Sequence, residues 1–152
     1  MRQNNLTVYL HLVWATWNRM PLITEAIERD LYRYIESTCQ KHGCAVLAIG
    51  GMPDHIHLLL AYPSTITIAD LMEYVKGGSS RFVTEKLISG DFFRWQGHYA
   101  AFSVSPYDKN RVIRYIQNQK QHHAEGTVWS HAEETYREAV LPAQAGSEPQ
   151  AP

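Results

Sequence analysis

Apolar and polar positions alternate between two periods along this chain, and the period changes mark its elements. Residues 6–17 are rich in β-branched and aromatic side chains, as a strand requires. After Pro21, Thr24 is placed to cap a helix whose first turn carries Glu25 and Glu28, where acidic groups favour the macrodipole. Ile27, Leu31, Tyr34, Ile35 and Thr38 then fall on one helical face, and Gly43 ends the helix. Residues 44–49 predict a second strand and Gly50-Gly51-Met52-Pro53-Asp54 a turn. Residues 55–62 predict a third strand.

Thr67 and Asp70 resemble a capping box opening a second helix, with Leu71 and Val75 inward and an interruption at Gly77-Gly78. Residues 99–104 predict a fourth strand. Ser105-Pro106-Tyr107-Asp108 then supplies an N-cap, a first-turn proline and an acidic N3 for a helix running to about His123. A short helix over 133–140 follows, and 142–152 reads as a disordered tail behind a single domain of residues 1–141. The order β-α-β-β-α-β plus a further helix predicts an α+β, ferredoxin-like split βαβ fold. Its antiparallel sheet carries helices on one face, with the added C-terminal, tyrosine-bearing helix on the other, active-site side.

Strand alternation places His55, His57, Leu59 and Ala61 on one face and Ile56, Leu58, Leu60 and Tyr62 on the other. The second set is wholly large and apolar and should face the helices. Both imidazoles then stand on the open face, about 7 Å apart along the strand. At that spacing they can chelate one divalent ion if a third group closes the site; the bland alternative is a pair of hydrogen-bonded surface histidines. A histidine-triad hydrolase would need a third alternating histidine, and position 59 is Leu59.

On the predicted tyrosine helix, Val112, Ile113 and Ile116 form the apolar anchor, while Tyr115, Asn118, Gln119 and His122 share a neighbouring face. A phenol one turn before an amide oxygen suits covalent attack on a phosphodiester next to a metal ion. A free phenol titrates near ~10, so the metal must help stabilise the phenolate. Tyr115 packing plainly against the sheet is the competing reading. Gln119 and His122 are rival third ligands.

Pro53-Asp54-His55-Ile56-His57-Leu58-Leu59 together with Tyr115-Ile116-Gln117-Asn118-Gln119 resembles the single-tyrosine HUH transposases of the smallest bacterial insertion sequences, including the REP-associated tyrosine transposases. The block from His11 to Arg19, Lys76-Gly77-Gly78-Ser79-Ser80, Trp95-Gln96 and Ala101-Phe102-Ser103-Val104-Ser105 look similar to further family blocks in the same order, covering about residues 6–125. The resemblance implies His55, His57 and Gln119 as metal ligands and Tyr115 as nucleophile. It further implies Mg2+ or Mn2+, cleavage and rejoining of hairpin-marked single-stranded DNA through a 5′-phosphotyrosine, and a homodimer in which the tyrosine helix acts in cis or in trans. No nucleotide cofactor is needed, in line with the lack of a Gly-rich phosphate loop.

Charge modifies this picture. The 152 residues carry a net −1, but residues 1–70, 71–124 and 125–152 carry −1, +4 and −4. A polyanion would meet the middle of the chain. Arg81, Lys86, Arg111 and Arg114 are candidate phosphate contacts there, and Lys76, Arg19 and His11 candidate DNA contacts within the family blocks, His11 also as a structural residue. Trp14, Trp17 and Trp95 could stack on bases or pack in the core. With no apolar run near the roughly 20 residues of a membrane span and no secretory pattern, the expectation is a cytoplasmic protein, nucleoid-associated when on DNA, with Cys39 and Cys44 as free thiols. Two other functions compete: a hairpin-binding protein that no longer cuts, and a metal-dependent phosphodiesterase that releases its product to water.

Overall fold

A computed structural model describes residues 4–135. Four strands, β1 (Tyr9–Ala15), β2 (Ala45–Met52), β3 (His55–Ala61) and β4 (Ala100–Val104), form one sheet in the order β2-β3-β1-β4. All three pairings are antiparallel, which is the ferredoxin-like arrangement. Helices α1 (Glu25–Lys41) and α2 (Ile68–Phe82) cover one face. There Leu10, Leu12, Trp14, Ile56, Leu58 and Leu60 of the central strands meet Ile27, Leu31, Ile35, Leu71, Met72 and Val75. Each fully buried aliphatic side chain of this kind contributes about 1.5–3 kcal/mol, so this layer anchors the sheet behind the opposite face.

On that opposite face lie α3 (Lys109–Gln117), α4 (Gln119–Glu125) and the single turn α5 (Ser130–Glu133). Ala48, Leu59, Val112, Tyr115, Ile116 and Ala132 form its smaller apolar cluster. The tyrosine helix thus lies on the histidine side of the sheet, as expected, but with α4 and α5 beside it the face is closed rather than open, and His55 and His57 are 1% and 0% exposed.

Three local expectations are corrected. Gly50 and Gly51 belong to β2, and the turn shrinks to Pro53-Asp54. A Cβ at Gly50 would sit 2.3 Å from the Ile116 carbonyl oxygen, so the glycine serves the close approach of α3 rather than a turn. Gly77-Gly78 does not interrupt α2; a Cβ at Gly78 would sit 2.9 Å from Tyr34 Oη, which marks a close contact between α2 and α1. Finally, Ser105 accepts from the Asp108 amide in a turn that precedes the helix, so α3 starts only at Lys109.

The tyrosine helix also breaks at Asn118 (φ −106°, ψ 25°), whose Nδ2 donates to the Arg114 carbonyl at 2.9 Å. Local amide bonding of this sort competes with helix continuation. Of the helix expected over 133–140, Glu133 ends α5 and residues 136–140 lie outside the described residues, as does 142–152.

Candidate active site

His55 opens β3 directly after the Pro53-Asp54 turn. Its Nδ1–H donates to Asp54 Oδ1 at 2.7 Å, which fixes the ring and leaves Nε2 pointing into the covered face. Two residues on, His57 Nδ1 lies 2.9 Å from Nε2 of His11 on the neighbouring strand β1, and its own Nε2 points the same way as that of His55. The two rings are 5.1 Å apart between centroids. Each histidine is thus oriented through Nδ1 by a buried or half-buried partner, with Nε2 turned toward the groups of the site.

Opposite them, α3 and α4 supply Tyr115, Gln119 and His123. Gln119 Oε1 lies 3.3 Å from His55 Nε2 and 3.2 Å from His123 Nε2. The break at Asn118 explains this set: it leaves Asn118 exposed and turns His123 inward. His122, the rival to Gln119, instead has its Nδ1 2.8 Å from Thr127 Oγ1 and its ring beside Tyr115. Tyr115 is buried, stacked on Trp129 at 3.9 Å and edge-on to His57 at 5.8 Å. Its hydroxyl accepts from the Trp129 amide at 3.1 Å and donates to Glu133 Oε1.

Glu133, on α5, is the residue the sequence did not reveal. Its Oε2 is 2.9 Å from His55 Nε2 and 3.3 Å from His123 Nε2, and His57 Nε2 is 3.3 Å away. His55, His57 and Glu133 offer donor atoms all within 4.8 Å of one another. Neighbouring oxygen or nitrogen donors around a six-coordinate Mg2+ sit about 2.9 Å apart, close to these separations. The donor set is mixed, two imidazoles with amide and carboxylate oxygens, and so suits Mn2+ as well as Mg2+. No sequence spacing announces Glu133. Its segment carries only a surplus of acid, and a one-turn helix brings it back over the sheet.

The electrostatics follow from this crowding. Burial disfavours imidazolium at His55, yet the hydrogen bonds to Asp54 and Glu133 outweigh it and hold its pKa up at about 9. At His57 burial wins and the pKa falls. Burial, helped by His57, takes His11 down to about 3, so its ring is neutral and can either donate to or accept from His57. Burial opposes the Glu133 carboxylate, but the bonds from His55 and His57 prevail and keep it ionised below the usual carboxylate range. Burial first, then Glu133, pushes the Tyr115 phenol up to about 12.

The basic residues divide between the two faces. Arg19 stands at the rim, its guanidinium 3.1 Å from the Glu133 carbonyl and 3.7 Å from Asp54 Oδ2. Its backbone and that of Asn18 are both left-handed at φ 50°, an uncommon conformation for such residues. Arg111 and Arg114 are exposed on α3. Arg81 and Lys86 are exposed at the end of α2 and just beyond it, in the helical layer on the far side of the sheet. Lys76 Nζ donates to the Gln96 and His98 carbonyls at 2.5 and 3.1 Å, tying α2 to the segment before β4. His11 is buried under His57 rather than at the surface. Trp14 and Trp95 are buried in the core, while Trp17 is exposed beneath Arg94.

The family model "Transposase IS200 like" matches residues 4–119. The chain belongs to this IS200-like transposase family. It is 29% identical over 116 residues to the ISDra2 transposase TnpA of Deinococcus radiodurans, covering 72% of this chain and 81% of the relative. A crystal structure of a transposase from Deinococcus radiodurans R1 superposes with a TM-score of 0.61 at 27% identity, covering 78% of this chain and 95% of that one. The structure of a REP-associated tyrosine transposase bound to a REP hairpin shares the fold at 14% identity, with a TM-score of 0.60 over 97% and 96% of the two chains. Among the described residues, no helix of this transposase is long and apolar enough to cross a membrane.

Proposed function

We propose that this transposase cleaves and rejoins single-stranded DNA at hairpin-marked ends by transesterification at Tyr115. The observation that carries the reading is the convergence of the Tyr115 hydroxyl, two imidazole Nε2 atoms, Gln119 Oε1 and the Glu133 carboxylate in one buried cluster. Tyr115 Oη attacks phosphorus and forms one P–O bond; the bond to the 3′-oxygen of the upstream nucleotide breaks. The phenolic proton ends on that 3′-oxygen, and the downstream strand stays on the protein as a 5′-phosphotyrosine. One phosphodiester replaces another, so rejoining needs only the reverse step.

His55, His57 and Gln119, with Glu133 beside them, are the residues that would hold Mg2+ or Mn2+. When bound, the cation supplies Lewis acidity toward a non-bridging oxygen and positive charge beside a phenol that burial otherwise keeps protonated. Asp54 and His11 orient the two imidazoles. Trp129 holds the Tyr115 ring and, through its amide, the phenolic oxygen. Tyr115 lies beside His57 of its own chain, so a homodimer is part of the proposal without being needed to assemble these groups.

A mixed pool of 5′- and 3′-labelled hairpins with Mn2+ tests the reading. The expected products are a free 3′-OH fragment and a downstream fragment attached to protein. Free 5′-phosphate fragments in their place would indicate the hydrolytic phosphodiesterase, and binding without products the silent hairpin binder.

Two further outcomes follow from the site. The proton held on His55 must leave before Nε2 can bind a cation, so Mn2+ affinity should rise with pH by up to about tenfold per unit, levelling near pH 9. Calorimetric titration at a series of pH values, with proton release read from buffers of different ionisation enthalpy, checks this. His11→Phe should keep the packing of β1 but leave His57 Nδ1 without its partner, lowering Mn2+ affinity by about 10–100-fold. His11→Gln, which retains a hydrogen-bonding group, should recover part of that loss.

A further inference from the structure

Beside Tyr115, and separate from the cluster of donors, the C-terminal segment and the edge strand enclose a second concavity. It has a volume of about 260 Å³ and is lined by Phe102 of β4, Ser105, Arg111 of α3, Trp129 and His131, with His11 also reaching it. Phe102 and His131 also wall a neighbouring cavity of about 410 Å³ that runs along β4 toward Tyr99. Together they make a groove along the sheet edge that ends at Trp129, the residue stacked on Tyr115.

The lining is aromatic and cationic at once. The ring planes of Trp129 and His131 are parallel to within 5°, with centroids 6.3 Å apart, and Phe102 stands edge-on to His131 at 6.5 Å. The Arg111 guanidinium lies 4.9 Å over the Trp129 ring. Trp129 is stacked in turn on Tyr115. A flat aromatic guest in this cavity would thus rest one ring away from the nucleophile. Rings with an arginine beside a cavity are the platform on which single-stranded nucleic acids stack their bases, every base having a π-face. Ser105 and Asp108 also line the cavity, bonded to each other and with the Asp108 carboxylate 3.7 Å from Arg111, and supply acceptor oxygens of the kind that exocyclic amines of a base can meet. The core packing of the chain does not require this arrangement, since His131 is exposed and Phe102 and Trp129 are only half-buried.

We infer that the cavity between Phe102, Trp129 and His131 is a nucleobase site, which takes one base of the single-stranded flank next to the cleaved bond and sets the strand against Tyr115. The inference rests on the single-strand cleavage proposed above and names where that strand is read. Stacking then acts twice: it adds affinity, and it fixes the register of the phosphate relative to the phenolic oxygen. Because Trp129 touches both the guest and Tyr115, occupancy of the cavity also holds the tyrosine ring.

The test uses the full chain without added metal, so that binding is read apart from cleavage. Fluorescence anisotropy compares labelled hairpins whose single-stranded flanks carry ordinary bases with the same hairpins carrying abasic sugars, the phosphates being unchanged. The expected result is binding about tenfold tighter with bases present, a preference that Trp129→Leu and His131→Ala each largely abolish and Trp129→Phe retains. His131 is exposed, so its variant reports on the site even where Trp129→Leu disturbs the fold. Equal binding of both flanks by the wild-type chain would overturn the inference while leaving hairpin recognition standing. A preference that survives both Trp129→Leu and His131→Ala would also overturn it, because the base is then read elsewhere. Failure of the wild-type chain to bind either hairpin would remove the inference together with the function on which it rests.

Discussion

Tyr115→Phe is expected to leave no covalent protein–DNA adduct while changing hairpin affinity by no more than about two- to threefold. The substitution removes one oxygen and nothing else. The Phe ring keeps the 3.9 Å stack on Trp129 and the edge contact with His57. The Trp129 amide loses an acceptor and Glu133 a donor, a cost of about 1–3 kcal/mol for groups that are not fully shut off from water. Such a loss is tolerable for a domain of this size, so the variant should fold and bind. Denaturing gel electrophoresis of labelled hairpins measures the adduct, and anisotropy measures the binding. Cleavage at the wild-type rate by Tyr115→Phe would make the phenol a packing residue and water the nucleophile.

The second large effect is expected at His57. His57→Ala removes one of the two convergent Nε2 atoms, strips His11 of its partner and leaves Glu133 with one donor fewer. Cleavage should fall below detection, and raising Mn2+ should not restore it, because the missing donor cannot be replaced by mass action at a site that has also lost its orientation. His122→Ala is the informative contrast. That ring pairs with Thr127 and touches only the side of Tyr115, so its removal should leave Mn2+ affinity close to wild type. Cleavage rates over a Mn2+ series for the two variants decide the matter. Metal-independent cutting by His57→Ala, or loss of metal binding in His122→Ala, would reassign the ligands.

What could be read from the chain and what could not divide along physical lines. Strand periodicity put His55 and His57 on one face because alternation is strict, and the apolar set Ile56, Leu58 and Leu60 says which face is which. Helical spacing brought Tyr115 and Gln119 together for the same reason. Gly50-Gly51 and Gly77-Gly78 misled, since glycine marks both turns and close backbone approaches, and here it serves the contacts with Ile116 and Tyr34. The tyrosine helix is legible on the histidine side, but nothing local says that α4 and α5 follow it and bury both imidazoles. Glu133 and His123 were missed on the same account. One depends on a tertiary return of the chain, the other on a helix break at Asn118 that shifts the inward face by one residue.

Mass spectrometry of the trapped adduct identifies the nucleophile. The wild-type chain is incubated with Mn2+ and a hairpin pool, digested with protease and nuclease, and searched for a nucleotide-bearing peptide from α3. A single 5′-linked phosphodiester on the Tyr115 oxygen is the expected result. Attachment at another residue, or cleaved DNA with no modified peptide at all, would contradict it.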